Sequence, residues 1–257
     1  TTKDGTLTVT KRAVTMTSVT DEKAYNGTPL TNHTVTVTGD GFVTGEGATY
    51  DVTGTQTLVG TSDNTFTYEL NEGTLAGNYD IEKVEGTLKV TENTNAIVIT
   101  ADDGTWMYDG QTHSKNSFTV TGLPAGYTAV PVITGTIKDA GTEDNVIGSY
   151  AIKLGDEDVT AQFSNVTTKD GTLTVTKRAV TMTSATDEKA YDGEPLTNHT
   201  VTVTGDGFVT DEGATYNVTG SQLLAGSSDN TFTYELNSGT LAGNYDISTI
   251  DGTLTVT

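Results

Sequence analysis

Four sets of residues in this 257-residue chain are of types that could do chemistry. The first is lysine with asparagine. A buried amine beside a carboxamide can condense with it, losing ammonia and leaving a covalent brace. Lys23 with Asn78, and Lys189 with Asn244, are the candidate pairs. The counterpart of Lys23 in the middle of the chain is Trp106, which cannot form the bond. A position that accepts an indole reads as a rim residue whose stem lies along apolar surface, so no cross-link is expected. The second set is carboxylates: Asp21-Glu22, Asp40, Asp102-Asp103 and Asp156-Glu157-Asp158. Calcium takes about six to eight oxygens, usually from a regularly spaced loop. That spacing is absent, so these are expected to be solvated loop charges, with Ca²⁺ where segments join as the competing reading. The third is the histidines. His33 and His199 occupy one repeated position, which leaves neither with a second ligand nearby, and His113 stands apart. Polar strand starts are expected rather than metal ligands. The fourth is Trp106-Met107-Tyr108. An exposed aromatic there could stack on a sugar or meet a neighbouring module, while a half-buried edge residue is the plainer expectation. No serine or carboxylate has a recognisable base and orienting partner, so neither an enzyme nor a cofactor is expected.

These residues sit in a repeat. Residues 1–91 align without a gap on 167–257 and differ at 15 of the 91 positions, among them Val19/Ala185, Asn26/Asp192 and Gly45/Asp211. The segment between is a diverged third copy. Ala96–Gly110 matches Ala13–Gly27, Phe118–Gly122 matches Val35–Gly39, and Gly171–Thr176 closes it as Gly86–Thr91 closes the first. The order is A, B, A: module A1 is 11–91, module B is 92–176 and module A2 is 177–257. The first ten residues, TTKDGTLTVT, equal Thr167–Thr176 letter for letter. They read as the closing strand of a preceding B-type module, from a longer array. A fixed period of this kind is the mark of a modular array.

Composition narrows the class. The net charge is −21, hydrophobic residues are 33% of the chain, and there is no cysteine. Nucleic acid and anionic membrane surfaces would repel such a chain. Disulfide scaffolds and thiolate metal sites are excluded. No apolar run reaches membrane-spanning length.

The elements that hold these residues read as strands. Val14 and Met16 alternate with Thr15 and Thr17, Val35 and Val37 with Thr34, Thr36 and Thr38, and Phe66, Tyr68 and Leu70 with Thr65, Thr67 and Glu69. Period two with threonine on the outer face indicates half-buried antiparallel strands, here predicted over 12–19, 33–39, 48–58, 64–70, 77–82 and 86–91. Asn26-Gly27, Asp40-Gly41, Asp109-Gly110, Asp192-Gly193 and Asp206-Gly207 read as tight turns. The expectation is an all-β tandem array of three small Ig-like sandwiches arranged end to end, with β-grasp-like modules as the alternative. Linkers as short as Lys11-Arg12 and Lys177-Arg178 predict stiff joints and a monomeric rod on the order of 100 Å long.

Tyr25–Leu30, Tyr191–Leu196, Ser62–Leu70, Ala76–Ile81 and Gly86–Thr91 resemble the YDG/MBG class of bacterial repeat modules. The likeness covers both A modules; in B it persists at Tyr108-Asp109-Gly110 and Gly171–Thr176, while the SDNTFTYEL and AGNYDI segments lack counterparts. The resemblance implies a stalk or spacer in a secreted, wall-anchored cell-surface adhesin, with no catalytic residues. Neighbouring modules are then the partners of each module, and a host or bacterial surface protein or glycan is the partner of the parent protein. The competing expectation is a ligand- or glycan-binding adhesin module whose surface lies on B around Trp106.

Overall fold

The computed structural model describes Thr1 and residues 3–257. It is all-β: the helical segments among the described residues are three single 3-10 turns, Ala76–Asn78, Thr160–Gln162 and Ala242–Asn244. Among the described residues no helix is long and apolar enough to cross a membrane.

In A1 the strands are β1 (Arg12–Ser18), β2 (Asp21–Ala24), β3 (Val35–Gly39), β4 (Ala48–Val52), β5 (Gly60–Asn64), β6 (Phe66–Leu70), β7 (Tyr79–Val84) and β8 (Gly86–Thr91). They form two three-stranded sheets, β3-β1-β7 and β2-β8-β5, and a two-stranded antiparallel sheet, β4-β6, whose strands are separated in the chain by β5. Val14, Met16, Val52, Phe66 and Tyr79 make one core, since alternate residues of each strand point inward. A2 repeats the arrangement with the same register, Arg178 opposite Tyr245 as Arg12 is opposite Tyr79. The predicted turn glycines Gly27, Gly41, Gly110, Gly193 and Gly207 all have positive φ.

The structure differs from the sequence expectation in three ways. First, the pairing is mixed: β1 runs parallel to β7, and β2 parallel to β8. The first two strands of the module can each pair in parallel with one of the last two because the strands between them serve as the crossover. Second, β2 and β5 were not predicted, and the segment 48–58 is not one strand. It ends at Val52, and Gln56 makes only a single bridge to Leu30. β5, Gly-Thr-Ser-Asp-Asn, has no apolar alternation; β8 supplies its ladder instead. Third, Val37 and its copy Val203 lie opposite the buried Met16 and Met182, on the face the alternation assigns, yet stay more than a third exposed because they sit on the edge strand of their sheet.

In B the strands are β9 (Ile97–Ala101), β10 (Gly104–Met107), β11 (Phe118–Thr121), β12 (Tyr127–Ile133), β13 (Gly141–Asn145), β14 (Ile147–Leu154), β15 (Glu157–Asp158), β16 (Val166–Lys169) and β17 (Gly171–Thr176). β17 is flanked by parallel β10 and antiparallel β13. By packing, the chain divides into two compact units, Thr1–Val98 with Thr121–Val130 and Ala151–Thr167, and Ile99–Val120 with Pro131–Tyr150 and Thr168–Thr257. The sequence holds three copies, yet the middle copy is shared out, because the joints tie each portion of B to the A module beside it.

One internal device recurs in every copy and escaped the sequence reading. Asn64, Asn145 and Asn230 are fully buried. Each donates its side-chain amide to two loop carbonyls: Val19 and Asn32, Asp102 and Lys115, or Ala185 and Asn198. Two loops are thereby fastened by one buried group whose donors are satisfied.

Candidate module joints

The closing strand of each repeat positions a tyrosine. The amides of Tyr25, Tyr108 and Tyr191 donate to the carbonyls of Thr91, Thr176 and Thr257, the last residues of their repeats. Each tyrosine opens an Asn/Asp-Gly turn. The same position therefore ends up at the exit rim of every module.

In the unit that holds A2, Tyr108 is buried edge-on against Tyr245, with ring centroids 5.6 Å apart and planes at 82°. Their hydroxyls donate to the two carboxylate oxygens of Glu212, each at 2.6 Å. Burial, and then the Glu212 carboxylate, push both hydroxyls up to about 12. Beside them the Ala140 amide donates to Asn244 Oδ1 at 2.7 Å, and Asn244 Nδ2 donates to Asp139 at 3.0 Å. Arg178 donates to the carbonyls of Gly207, Asp206 and Tyr108. One apolar core runs through: Tyr108, Ile137, Leu173 and Val175 from B join Val180, Met182 and Tyr245 from A2.

In the unit that holds A1, Tyr25 is likewise buried, between Phe163 (5.8 Å) and Tyr127 (6.2 Å). The Val59 amide donates to Gln162 Oε1 at 2.6 Å, and Asn93 Nδ2 donates to the Tyr25 carbonyl at 3.1 Å. Val59 and Ala140 each precede the first glycine of a strand (β5 and β13), and Gln162 and Asn244 each end a 3-10 turn. Both joints thus use one bond: an exit-rim amide to the side-chain carbonyl at the end of the next repeat's 3-10 turn. Phe163 stands where A modules have Tyr79 or Tyr245. Gly27 is required at this joint twice over. Its φ is 79°, and a Cβ there would lie 2.6 Å from the Tyr127 hydroxyl.

The sequence-predicted residues fall as follows. Tyr108 is a joint residue. Trp106 is half-buried, packs against the joint core, and has His113 stacked on its ring at 4.8 Å. Lys23 donates to Asn26, Thr28 and Pro29 within its own turn, and Lys189 donates to Asp192. Asn244 is occupied by Ala140 and Asp139, and Asn78 is exposed at the entry end of A1. Neither lysine is brought to its asparagine. Among the described residues no group of three His, Asp or Glu could hold a metal. The acidic clusters instead accept local hydrogen bonds: Asp102 from Ser117, Asp103 from the Thr172 amide, Asp158 from Thr160, Asp21 from Asn32 and Asp40 from the Ala13 amide. Asn32 and Thr160 hold the carboxyls of Asp21 and Asp158 below the usual range. His33 and His199 face the carbonyls of Val52 and Val218 and donate to them.

The tyrosine of the joint was legible, since it recurs in all three copies. Gln162 and Phe163 were not, because their residue types differ from the Asn-Tyr of the A modules and only the 3-10 turn identifies the position. No protein-family model matches the chain, and a search of curated proteins finds no match.

Proposed function

We propose that this chain is a structural spacer, a stalk segment of a bacterial surface adhesin built from YDG/MBG-type modules that projects a distal binding domain from the cell. The observation that supports it most is the repeated joint. Two junctions of different sequence use the same amide-to-carboxamide bond and the same edge-on aromatic contact. A module whose exit rim fits the next module's entry face puts its recurring contacts into stiffness. The acidic surface favours solubility and keeps chains apart. In this reading the parent protein is extracellular and anchored in the cell wall, and its ligand is taken by another domain.

Small-angle scattering tests the spacer role. A rod on the order of 100 Å has a radius of gyration near 30 Å, against about 18 Å for a globule of this length. The expected profile is the rod's, with an extended, narrow distance distribution. A profile of the compact size would overturn the spacer reading.

A further inference from the structure

We propose that the entry face of A1, together with residues 3–10, is a docking site for the body of a B-type module that lacks its own closing strand. The inference uses the modular reading and is independent of the spacer role.

Two observations converge on it. The entry face of A1 is built like that of A2. Tyr79 donates to Glu46 at 2.7 Å as Tyr245 does to Glu212. The amides of Val43 and Val209 donate to those two tyrosine hydroxyls. Phe42 meets Tyr79 as Phe208 meets Tyr245, and Arg12 grips Gly41 as Arg178 grips Gly207. In A2 this face carries Tyr108, and Asn244 is only 2% exposed. In A1 the same place is a pocket of about 330 Å³ lined by Val9, Arg12, Val43, Glu46, Asn78 and Tyr79. Glu46 has one oxygen committed to Tyr79; in A2 the second oxygen of Glu212 takes the incoming tyrosine. The Asn78 carboxamide, whose counterpart accepts the Ala140 amide, is exposed.

The second observation is the strand that leads into this pocket. Residues 3–10 lie outside every ladder, with Leu7 and Val9 100% and 97% exposed. The same letters at 169–176 include β17, whose two edges are taken by β10 and β13 and whose Leu173 and Val175 are buried. That pairing is what delivers the tyrosine: β10 runs parallel to β17 with Met107 opposite Thr176, and the next residue, Tyr108, donates its amide to the Thr176 carbonyl. A body with strands equivalent to β10 and β13, laid on residues 5–10 in that register, places its tyrosine amide at Thr10. Its hydroxyl then falls at Glu46. The partner is thus specified twice, by the ladder and by the pocket. Strand addition of this kind draws its affinity from main-chain bonds and its specificity from alternate side-chain pockets.

The test extends the full chain at its N-terminus with a second copy of residues 92–166, so that residues 1–10 follow it as 167–176 follow the original. Hydrogen exchange is read on peptides running through Val19, which distinguishes this stretch from the copy running into Ala185. The expected result is that amides of Leu7 through Thr10 gain about a hundredfold protection over the unextended chain. Leu7→Asp in the extended chain should remove that protection together with the protection of the added copy. Unchanged exchange at 7–10, whether the added copy folds or not, overturns the proposal. So does concentration-dependent self-association of the unextended chain that Tyr191→Ala abolishes, which would assign the pocket to the exit rim of a second copy.

Discussion

The ten residues TTKDGTLTVT occur twice and behave as two different objects. At 167–176 their apolar pair, Leu173 and Val175, is buried in a strand with neighbours on both sides; at the start of the chain Leu7 and Val9 are exposed, and residues 3–10 have no ladder. The contrast continues into the modules that follow. The entry face of A2 shares one core with B, whereas the core of A1 stops at Tyr79. Identical local preference therefore does not make a strand here. Threonine and valine favour extended backbone, but the ladder exists only where β10 and β13 supply partners, and the conformational entropy of ordering the segment is offset only there.

The sharpest way to break this comparison is to charge the two leucines. Leu173→Asp puts a carboxylate into a fully buried site, and about 3–5 kcal/mol of unfolding free energy should be lost in urea titration. Leu7→Asp should change stability by no more than about 0.5 kcal/mol. Equal effects would mean that residues 3–10 are packed in solution.

Alkali should act next, and on the occupied entry face. The hydroxyls of Tyr108 and Tyr245 have folded values near 12, above their ordinary 10, because the buried joint and Glu212 favour the neutral form. Their contribution is complete below about pH 10 and declines as pH rises through about 12. Tyrosinate absorbance should rise late for these two groups, and melting temperature should drop across that window. Tyr108→Phe, which removes one of the two groups, should make the drop shallower. A melting temperature flat between pH 10 and 12 would show that the joint does not depend on the neutral hydroxyls.

The smallest contrast is between the two asparagines. Asn244→Ala leaves the Ala140 amide and Asp139 without their partner and should cost about 1–3 kcal/mol. Asn78→Ala removes an exposed group and should be nearly silent in the same melts. In the chain extended ahead of Thr1 the second substitution should acquire the cost of the first. If it stays silent there, the two faces are not equivalent.

Much of this architecture was legible from residue order. The A-B-A order, the all-β class, the turn glycines and the inward faces of β1 and β6 follow from repetition, alternation and the few residues that accept positive φ. β5 was invisible because Gly-Thr-Ser-Asp-Asn carries no period of its own; its place comes from β8, whose backbone it pairs with. Parallel pairing of β1 with β7 and of β2 with β8 was likewise beyond reach, since alternation is the same for a strand paired in either direction. The site divides in the same way. Tyr108 stood out by recurrence. Its acceptor, Glu212, lies 104 residues away and is retained as Glu46 in the first copy, but nothing in the spacing connects the two. Lys23 and Asn78 suggested a brace by type alone, and the fold gives the lysine to its own turn and the asparagine to the entry pocket.

What the order of amino acids determined by itself was local: which segments extend, where they turn, and that the modules repeat. Whether a given segment becomes a buried strand or an open one was decided by the tertiary structure. A ladder and a core are made of contacts between distant residues, and two copies of the same ten letters differ only in whether those contacts are there to be made.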